Sequence, residues 1–268
     1  MATSASSPGR RSSPALWAGL LVIAAFAWVL LIRQSPGMPA PAAGPWLVFG
    51  EFLLLWVVMM AAMMLPSVAP VASMYLTVLR NRRSGTAAAH AAALVAGYLL
   101  AWAGFGVAAF GISRALGKLA PMDMNTAPSR LAVWSAAIAL AVAGAYQFTP
   151  LKAWCLRHCR SPLGFLLHFG NYAGRLRDIR VGAYHGGYCV GCCWSLMLVL
   201  VAVGVMNMAW MAGLTAVVFM EKVWRSGQAL GYAVGGALIV TGLLLPWLPP
   251  MQNALLSSGL YGCLGGGG

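Results

Sequence analysis

Long apolar runs separated by short polar segments dominate the chain, and this pattern predicts membrane-spanning helices. A helix needs about 20 apolar residues to cross the hydrocarbon core of a bilayer. Seven runs are candidates, at residues 16–32, 46–65, 87–112, 131–149, 189–206, 208–220 and 229–248. Such runs exceed the strands of a membrane barrel. The pattern therefore predicts an all-α fold, a polytopic transmembrane helical bundle with about seven spans.

Two places in this pattern leave the boundaries open. The second run continues in apolar residues to Leu79, beyond Pro66 and Pro70, and proline kinks helices in membranes without always ending them. The fifth and sixth runs meet at Asn207 with almost no loop. Residues 189–222 are therefore either two spans or one long bent helix.

The segments outside the main runs predict tails and one larger loop. Residues 1–14 are rich in Ser, Pro and Arg and predict a disordered tail. Residues 15–250 are predicted to form the transmembrane helical domain, with a cytoplasmic Cys/His loop at 150–188. Residues 251–268 are predicted to form a flexible, Gly-rich tail. No clear small-residue cleavage site follows the first run, which favours a retained signal anchor.

Composition and charge exclude several classes of protein. The chain is 61% hydrophobic and 8% charged, whereas a soluble domain carries about 25% charged residues. An ordinary soluble enzyme and a disordered chain are both excluded by these values. The formal net charge is +13, but the basic residues lie between apolar runs and form no basic face, so no nucleic-acid partner is predicted.

The positions of Lys and Arg predict the orientation of the spans. With the N-terminus in the cytoplasm, 13 of the 17 Lys and Arg residues fall in inside segments and 4 in outside segments. This distribution follows the positive-inside rule. It predicts a multi-pass protein of the bacterial cytoplasmic (inner) membrane, with the N-terminus in and the C-terminus out.

Five of the six cysteines lie within the 150–188 loop or directly after it and suggest a metal or redox site. They are Cys155, Cys159, Cys189, Cys192 and Cys193. Each group has i, i+3, i+4 spacing, with His158 completing the first, so each would share one helix face. The second group is expected to open the fifth span, where a helix N-terminus favours thiolates. The two faces together predict a pocket for Zn, Cu(I) or an iron–sulfur cluster.

A packing role for these cysteines is the alternative, because free Cys behaves as a small hydrophobe. A structural disulfide is disfavoured on the reducing side of the membrane. Cys263, near the glycine-rich end, has no partner in sequence.

The methionines of the second span form a further candidate site. Met59 and Met63 are one helical turn apart, and so are Met60 and Met64. Thioethers select Cu(I) over harder ions, and such pairs resemble the selectivity motif of eukaryotic copper transporters. Met122 and Met124 are a second pair, predicted on the outer side. Adaptable packing in apolar helices is the alternative for both sets.

Two of the four acidic residues lie in or beside spans. A carboxylate there is costly and usually faces a cavity or a partner. Glu51 is predicted to bind a cation or a proton, or to pair with an arginine. Glu221 and Lys222 could instead place both charged ends in water at the interface. His90, near the inner end of the third span, is expected to be a hydrogen-bonded packing residue.

No catalytic arrangement is evident in the sequence. No Ser–His–Asp set, paired carboxylates, phosphate-binding loop or dinucleotide motif occurs at a suitable spacing. The sequence therefore predicts a binding or transport protein more than an enzyme.

Several blocks together resemble an uncharacterised bacterial family of predicted metal-binding integral membrane proteins. These blocks are residues 59–66 (MMAAMMLP), 146–162 (YQFTPLKAWCLRHCRSP), 187–197 (GYCVGCCWSLM) and 207–222, which ends in Glu-Lys. The resemblance extends from about Trp46 to Leu248. It implies an integral membrane protein that binds metal.

Three hypotheses follow from these observations. In the first, the protein binds or transports a thiophilic metal, Cu(I) before Zn, passing it from the methionines to the Cys/His cluster. In the second, it is a membrane thiol-redox protein in which Cys189 and Cys192 cycle between dithiol and disulfide. In the third, it is a structural subunit of a membrane complex with a Zn-type cysteine site. The expected partners are the lipid bilayer, the metal ion, and a metallochaperone or membrane-complex subunits.

Overall fold

The structure is a computed structural model that describes residues 14–34, 45–80, 87–119, 130–160, 176–203 and 208–256. Within these ranges every regular element is helical, which confirms the predicted all-α fold for this part of the chain. The helices are α1 (Pro14–Gln34), α2 (Pro45–Arg80), α3 (Ala87–Leu119), α4 (Arg130–Tyr146), α5 (Pro150–Arg160), α6 (Arg177–Val203), α7 (Met208–Val223), α8 (Gly227–Leu244) and α9 (Pro249–Leu256), with a 3-10 turn at Leu245–Trp247.

Five stretches of these helices are long and apolar enough to cross a membrane. They are Leu16–Arg33, Val48–Thr77, Ala88–Ala115, Arg177–Val201 and Gly227–Trp247. Helices α4 and α5 are bent by 65° relative to each other and would add a sixth span if they cross together. Helix α7 has 16 residues and is shorter than these spans. The described residues thus contain five or six candidate spans, while the seven-span count and the orientation stay predictions.

Helix α2 continues through both of its prolines. It runs for 36 residues with Pro66 and Pro70 inside it, as the apolar pattern up to Leu79 predicts. The hydroxyl groups of Ser67 and Ser73 donate to the carbonyls of Met64 and Pro70, at 2.8 Å each. A serine inside a helix satisfies its hydroxyl group in this way, by donating to a backbone carbonyl about one turn earlier.

Helix α6 begins much earlier than the sequence pattern predicts. Its first residue is Arg177, so the expectation that Cys189 opens the fifth span is wrong. The twelve residues before Cys189 are helical, although they include Arg, Asp, His and Gly. Favourable thiolate placement at a helix N-terminus therefore does not apply to these cysteines.

Close packing against α3 explains why this polar stretch stays helical. Helix α6 packs most extensively against α3, and glycines mark the contact. A side chain at Gly97 would overlap the carbonyl of Ile179, and one at Gly182 would overlap the carbonyl of Leu94. Small residues that let helix backbones approach closely are a common basis of helix association in membranes.

The predicted ends of the chain lie mostly outside the described residues. Residues 1–13 and 257–268 are in this group, as are Asn207 and the junction between α6 and α7. Helix α9 covers residues 249–256, so the segment predicted as a flexible tail starts with a helix.

Candidate metal centre

Three cysteines of α6 form the centre of the candidate site. The sulfur atoms of Cys189, Cys192 and Cys193 all lie within 4.8 Å of one another. Each of the three side chains is at most 1% exposed. The Cys192 and Cys193 sulfurs are 3.3 Å apart. All three are free thiols, so they form a compact set of soft ligands inside the helix packing.

Helix α5 brings a fourth sulfur to this set. The Sγ atom of Cys159 lies 3.7 Å from Sγ of Cys192. Cys155, one turn earlier on α5, faces α6 at Gly191, where a Cβ atom would come within 2.8 Å of its sulfur. The predicted juxtaposition of the two cysteine groups is therefore present, and the absence of a side chain at Gly191 permits it.

The turn between α4 and α5 positions these α5 cysteines. The hydroxyl of Tyr146, the last residue of α4, donates to the carbonyl of Gly191 at 2.5 Å. Thr149 accepts from the backbone N–H of Lys152 at 3.3 Å through its hydroxyl, which helps to start α5. The end of α4 is thus fixed to α6 beside the cysteines, and α5 leaves from that point.

Polar side chains from three other helices surround Cys189. The ammonium group of Lys222 lies 2.9 Å from its sulfur and also donates to the hydroxyl of Ser67 at 3.0 Å. The Tyr98 hydroxyl lies 3.0 Å from the same sulfur. A positive charge at this distance stabilises a thiolate, the form of cysteine that binds metals. Cys189 is therefore the member of the triad whose surroundings suit a negative charge.

His158 lies apart from the sulfur atoms. Its side chain is exposed, and its Nδ1 atom lies 2.9 Å from the carbonyl oxygen of Trp154. The imidazole stacks on Tyr188, with ring centroids 4.8 Å apart. The structure therefore places His158 in an aromatic group on the outer side of α5, while Cys155 and Cys159 face inward.

The four methionines of α2 are buried, and hydrogen bonds connect their segment to this site. Met59, Met60, Met63 and Met64 are each at most 2% exposed. Ser67, which contacts Lys222, donates its hydroxyl to the carbonyl of Met64. The methionine segment is thus connected to Cys189 through Ser67 and Lys222. Met122 and Met124 lie outside the described residues.

The acidic candidates have separate surroundings. Glu221 is 1% exposed and forms a salt bridge with Lys152, with 2.8 Å between Nζ and Oε1, so its predicted placement in interfacial water is wrong. Glu51 is exposed on α2 and belongs to neither ion pair among the described residues. The Nδ1 atom of His90 lies 2.8 Å from Asp178, which agrees with a hydrogen-bonded packing role.

Sequence reasoning missed three members of the site, namely Lys222, Ser67 and Tyr98. The sequence offered one indication for Lys222, because a lysine next to a glutamate beside an apolar run is unusual. It offered no indication for Ser67 or Tyr98, since hydroxyl groups are common in membrane helices. Only tertiary packing brings them together, because Tyr98 and Lys222 reach Cys189 from α3 and α7, and Ser67 reaches Lys222 from α2.

The comparisons with known proteins agree with this donor set. A family model described as a copper chaperone, PpoB2, matches residues 53–245, which is well over half of the chain. That range contains the four methionines of α2 and all five clustered cysteines. No match was found among curated proteins or among solved structures. The chain belongs to the PpoB2 copper chaperone family.

Proposed function

We propose that this protein is an integral membrane copper chaperone that carries Cu(I) on the thiolates of Cys189, Cys192 and Cys193. The observation that carries the proposal is the buried set of three sulfurs within 4.8 Å of one another. Thiolates are the ligands that Cu(I) favours. The copper ion is the cargo, and the protein's role is to bind it and pass it on.

The type of ligand and the family favour copper over zinc. With Cys159 the site has four sulfurs, a number that zinc also uses, so the preference for copper rests on the match to a copper chaperone family and on the neighbouring thioethers. The buried methionines of α2 add thioethers, which also favour Cu(I). A thiol-redox protein is the second candidate, because Cys159 and Cys192 have their sulfurs 3.7 Å apart.

Within this proposal the two cysteine groups have different tasks. The triad sits on α6, which packs against α3 along its length, and holds the ion. Cys159 and Cys155 sit on the short α5 and act as exchange ligands when the ion arrives or leaves. The methionines of α2 form the membrane part of the route. The protein works in the bacterial inner membrane and delivers copper to an acceptor protein.

The proposal predicts that the triad determines the copper content. Protein purified anaerobically in detergent should carry close to one copper per chain, and a variant with Cys189, Cys192 and Cys193 changed to Ser should carry almost none. The matched control is Cys263→Ser, which removes a cysteine distant in sequence and should leave copper unchanged. Metal content measured by mass spectrometry, beside a thermal unfolding curve for each variant, is the readout.

Three results would count against the proposal. Copper that survives in the triad variant would place the ion elsewhere. Zinc lost in that variant, with no uptake of copper, would favour a structural site. No metal in any form, together with a reversible disulfide in place of the free thiols, would favour the redox candidate.

A further inference from the structure

Two lysines lie on the helices α5 and α7, and they have different partners. Lys152, on α5, is neutralised by the carboxylate of Glu221 and also donates to Gln147. Lys222, on α7, contacts Ser67 and Cys189 instead. The ion pairs of the described residues contain no carboxylate partner for Lys222. Its acceptors are therefore a neutral hydroxyl and a sulfur atom.

A partly buried ammonium among apolar helices needs a negative charge nearby, because placing an unpaired charge in an apolar interior is costly. Glu221 is already paired with Lys152, and the group that contacts the Lys222 ammonium and can carry a negative charge is the Cys189 sulfur, 2.9 Å away. A Cu(I) ion held by the three thiolates of the triad has a formal net charge of −2. The single positive charge of Lys222 would reduce the charge of that complex to −1.

We propose that Lys222 is the counter-charge of the copper–thiolate site, an inference that rests on the proposed function. Its ammonium group offsets part of the negative charge of the complex that Cys189 and its neighbours form with Cu(I). Ser67 holds the ammonium in place from α2 through the 3.0 Å hydrogen bond. Lys222 is thus a positioning residue that touches a ligand and not the metal.

A purely structural role for Lys222 makes a different prediction. The side chain also joins α7 to α2 and α6, so its loss could weaken the packing of these helices. Such a role would change the unfolding temperature but not the affinity of a protein that is still folded. Affinity and stability must therefore be measured on the same variants.

The test compares variants that separate charge from shape. Lys222→Met keeps the length of the side chain but removes the charge, and Lys222→Arg keeps the charge. The matched control is the double variant Lys152→Met/Glu221→Gln, which removes the neighbouring ion pair as a unit and leaves the net charge unchanged. Each protein is purified copper-free, checked by thermal unfolding, and titrated with Cu(I) against a colorimetric Cu(I) chelator.

Among the three variants, we expect only Lys222→Met to lose affinity for Cu(I). Removal of a partner that supports a metal ligand typically lowers affinity about 10- to 100-fold, and we expect a loss in this range. Lys222→Arg should recover most of the affinity, and the double variant should match the wild type. If Lys222→Met does not fold, Lys222→Gln offers the same comparison with a polar end group.

The opposite results are equally clear. Wild-type affinity in the uncharged variants, or an equal loss in the double variant, would overturn the role of Lys222. Failure of the wild-type protein to bind Cu(I) through the triad would instead reject the proposed function on which this inference rests.

Discussion

At the scale of single residues, the three cysteines of the triad are chemically unequal. Cys189 contacts both the Lys222 ammonium and the Tyr98 hydroxyl, whereas the Cys192 sulfur contacts other sulfurs and the carbonyl of Cys189. A hydrogen bond to a charged group contributes about 1.5–3 kcal/mol. Cys189 is therefore the first member of the triad that we expect to bind an arriving cation.

The buried methionines of α2 give a prediction for copper movement. Changing Met60, Met63 and Met64 to Leu keeps the packing volume, a type of exchange that usually costs under about 1.5 kcal/mol per site, but removes the thioethers. We expect copper delivery in vesicles to fall at least tenfold, while the copper bound by the purified protein stays unchanged, because the cysteine triad is intact.

The control for this prediction is Met220→Leu, since that methionine is 42% exposed on α7. Transfer of a copper isotope from a donor outside the vesicles to an acceptor inside measures the delivery. Unchanged delivery in the triple variant would show that these methionines only fill space.

The ligand types at this site could be predicted from the sequence, but their environment could not. The predicted return of the chain agrees with the structure, which places Cys159 beside the second cysteine group. The grouping of His158 with these cysteines differs from the structure, because its side chain lies on a different side of α5 from the Cys159 sulfur. The contacts of Lys222 with α2 and α6 could not be predicted, because they depend on tertiary packing.

At the scale of the helices, the start of α6 shows the limit of the hydropathy pattern. Residues 177–188 contain Arg, Asp, His and three glycines, which suggest a loop when polarity alone is considered. These residues are helical in the structure because Gly182 and Gly186 let α6 lie directly on α3. In addition, the Asp178 carboxylate contacts His90 and Tyr75. The apolar runs at 16–32, 46–65, 87–112 and 229–248 each coincide with a candidate span.

The α3–α6 contact predicts a strong asymmetry between two glycines of one helix. Gly182→Ala should destabilise the fold, because its Cβ atom would overlap the Leu94 carbonyl, and overpacking costs about 1–3 kcal/mol. Gly187→Ala is the matched control, since nothing lies within 4 Å of the added atom. It should be neutral or stabilising by about 0.5–1 kcal/mol.

Unfolding in detergent, followed by circular dichroism with increasing denaturant, measures both glycine variants. Equal stability of the two proteins would contradict the close α3–α6 packing described above.

At the scale of the whole molecule, the distribution of Lys and Arg predicts which ends of the helices face the cytoplasm. Ser226→Cys, in the exposed turn between α7 and α8, should be protected from an impermeant thiol reagent in intact cells. Ser129→Cys, in the segment between α3 and α4, should react. Both are placed in a background without the native cysteines and compared with opened cells.

The reverse labelling pattern would show that the orientation is opposite to the predicted one. Reaction at both positions would show that they lie on the same side, which contradicts the odd number of crossings predicted between them. Orientation is readable from sequence because it depends on charge in the connecting segments. The number of spans is harder to predict, because α4, α5 and α7 are each too short to be assigned as a membrane span by length.

The 65° bend between α4 and α5 turns the chain so that a second helix brings a sulfur to the cysteine triad. Three sulfurs belong to α6, which packs closely against α3, and Cys159 comes from the 11-residue α5. An ion that binds Cys159 as well as the triad would therefore join α5 to α6, in addition to the Lys152–Glu221 ion pair that joins α5 to α7. Ligands on two helices can be exchanged one sulfur at a time, which suits the proposed release of the ion to an acceptor.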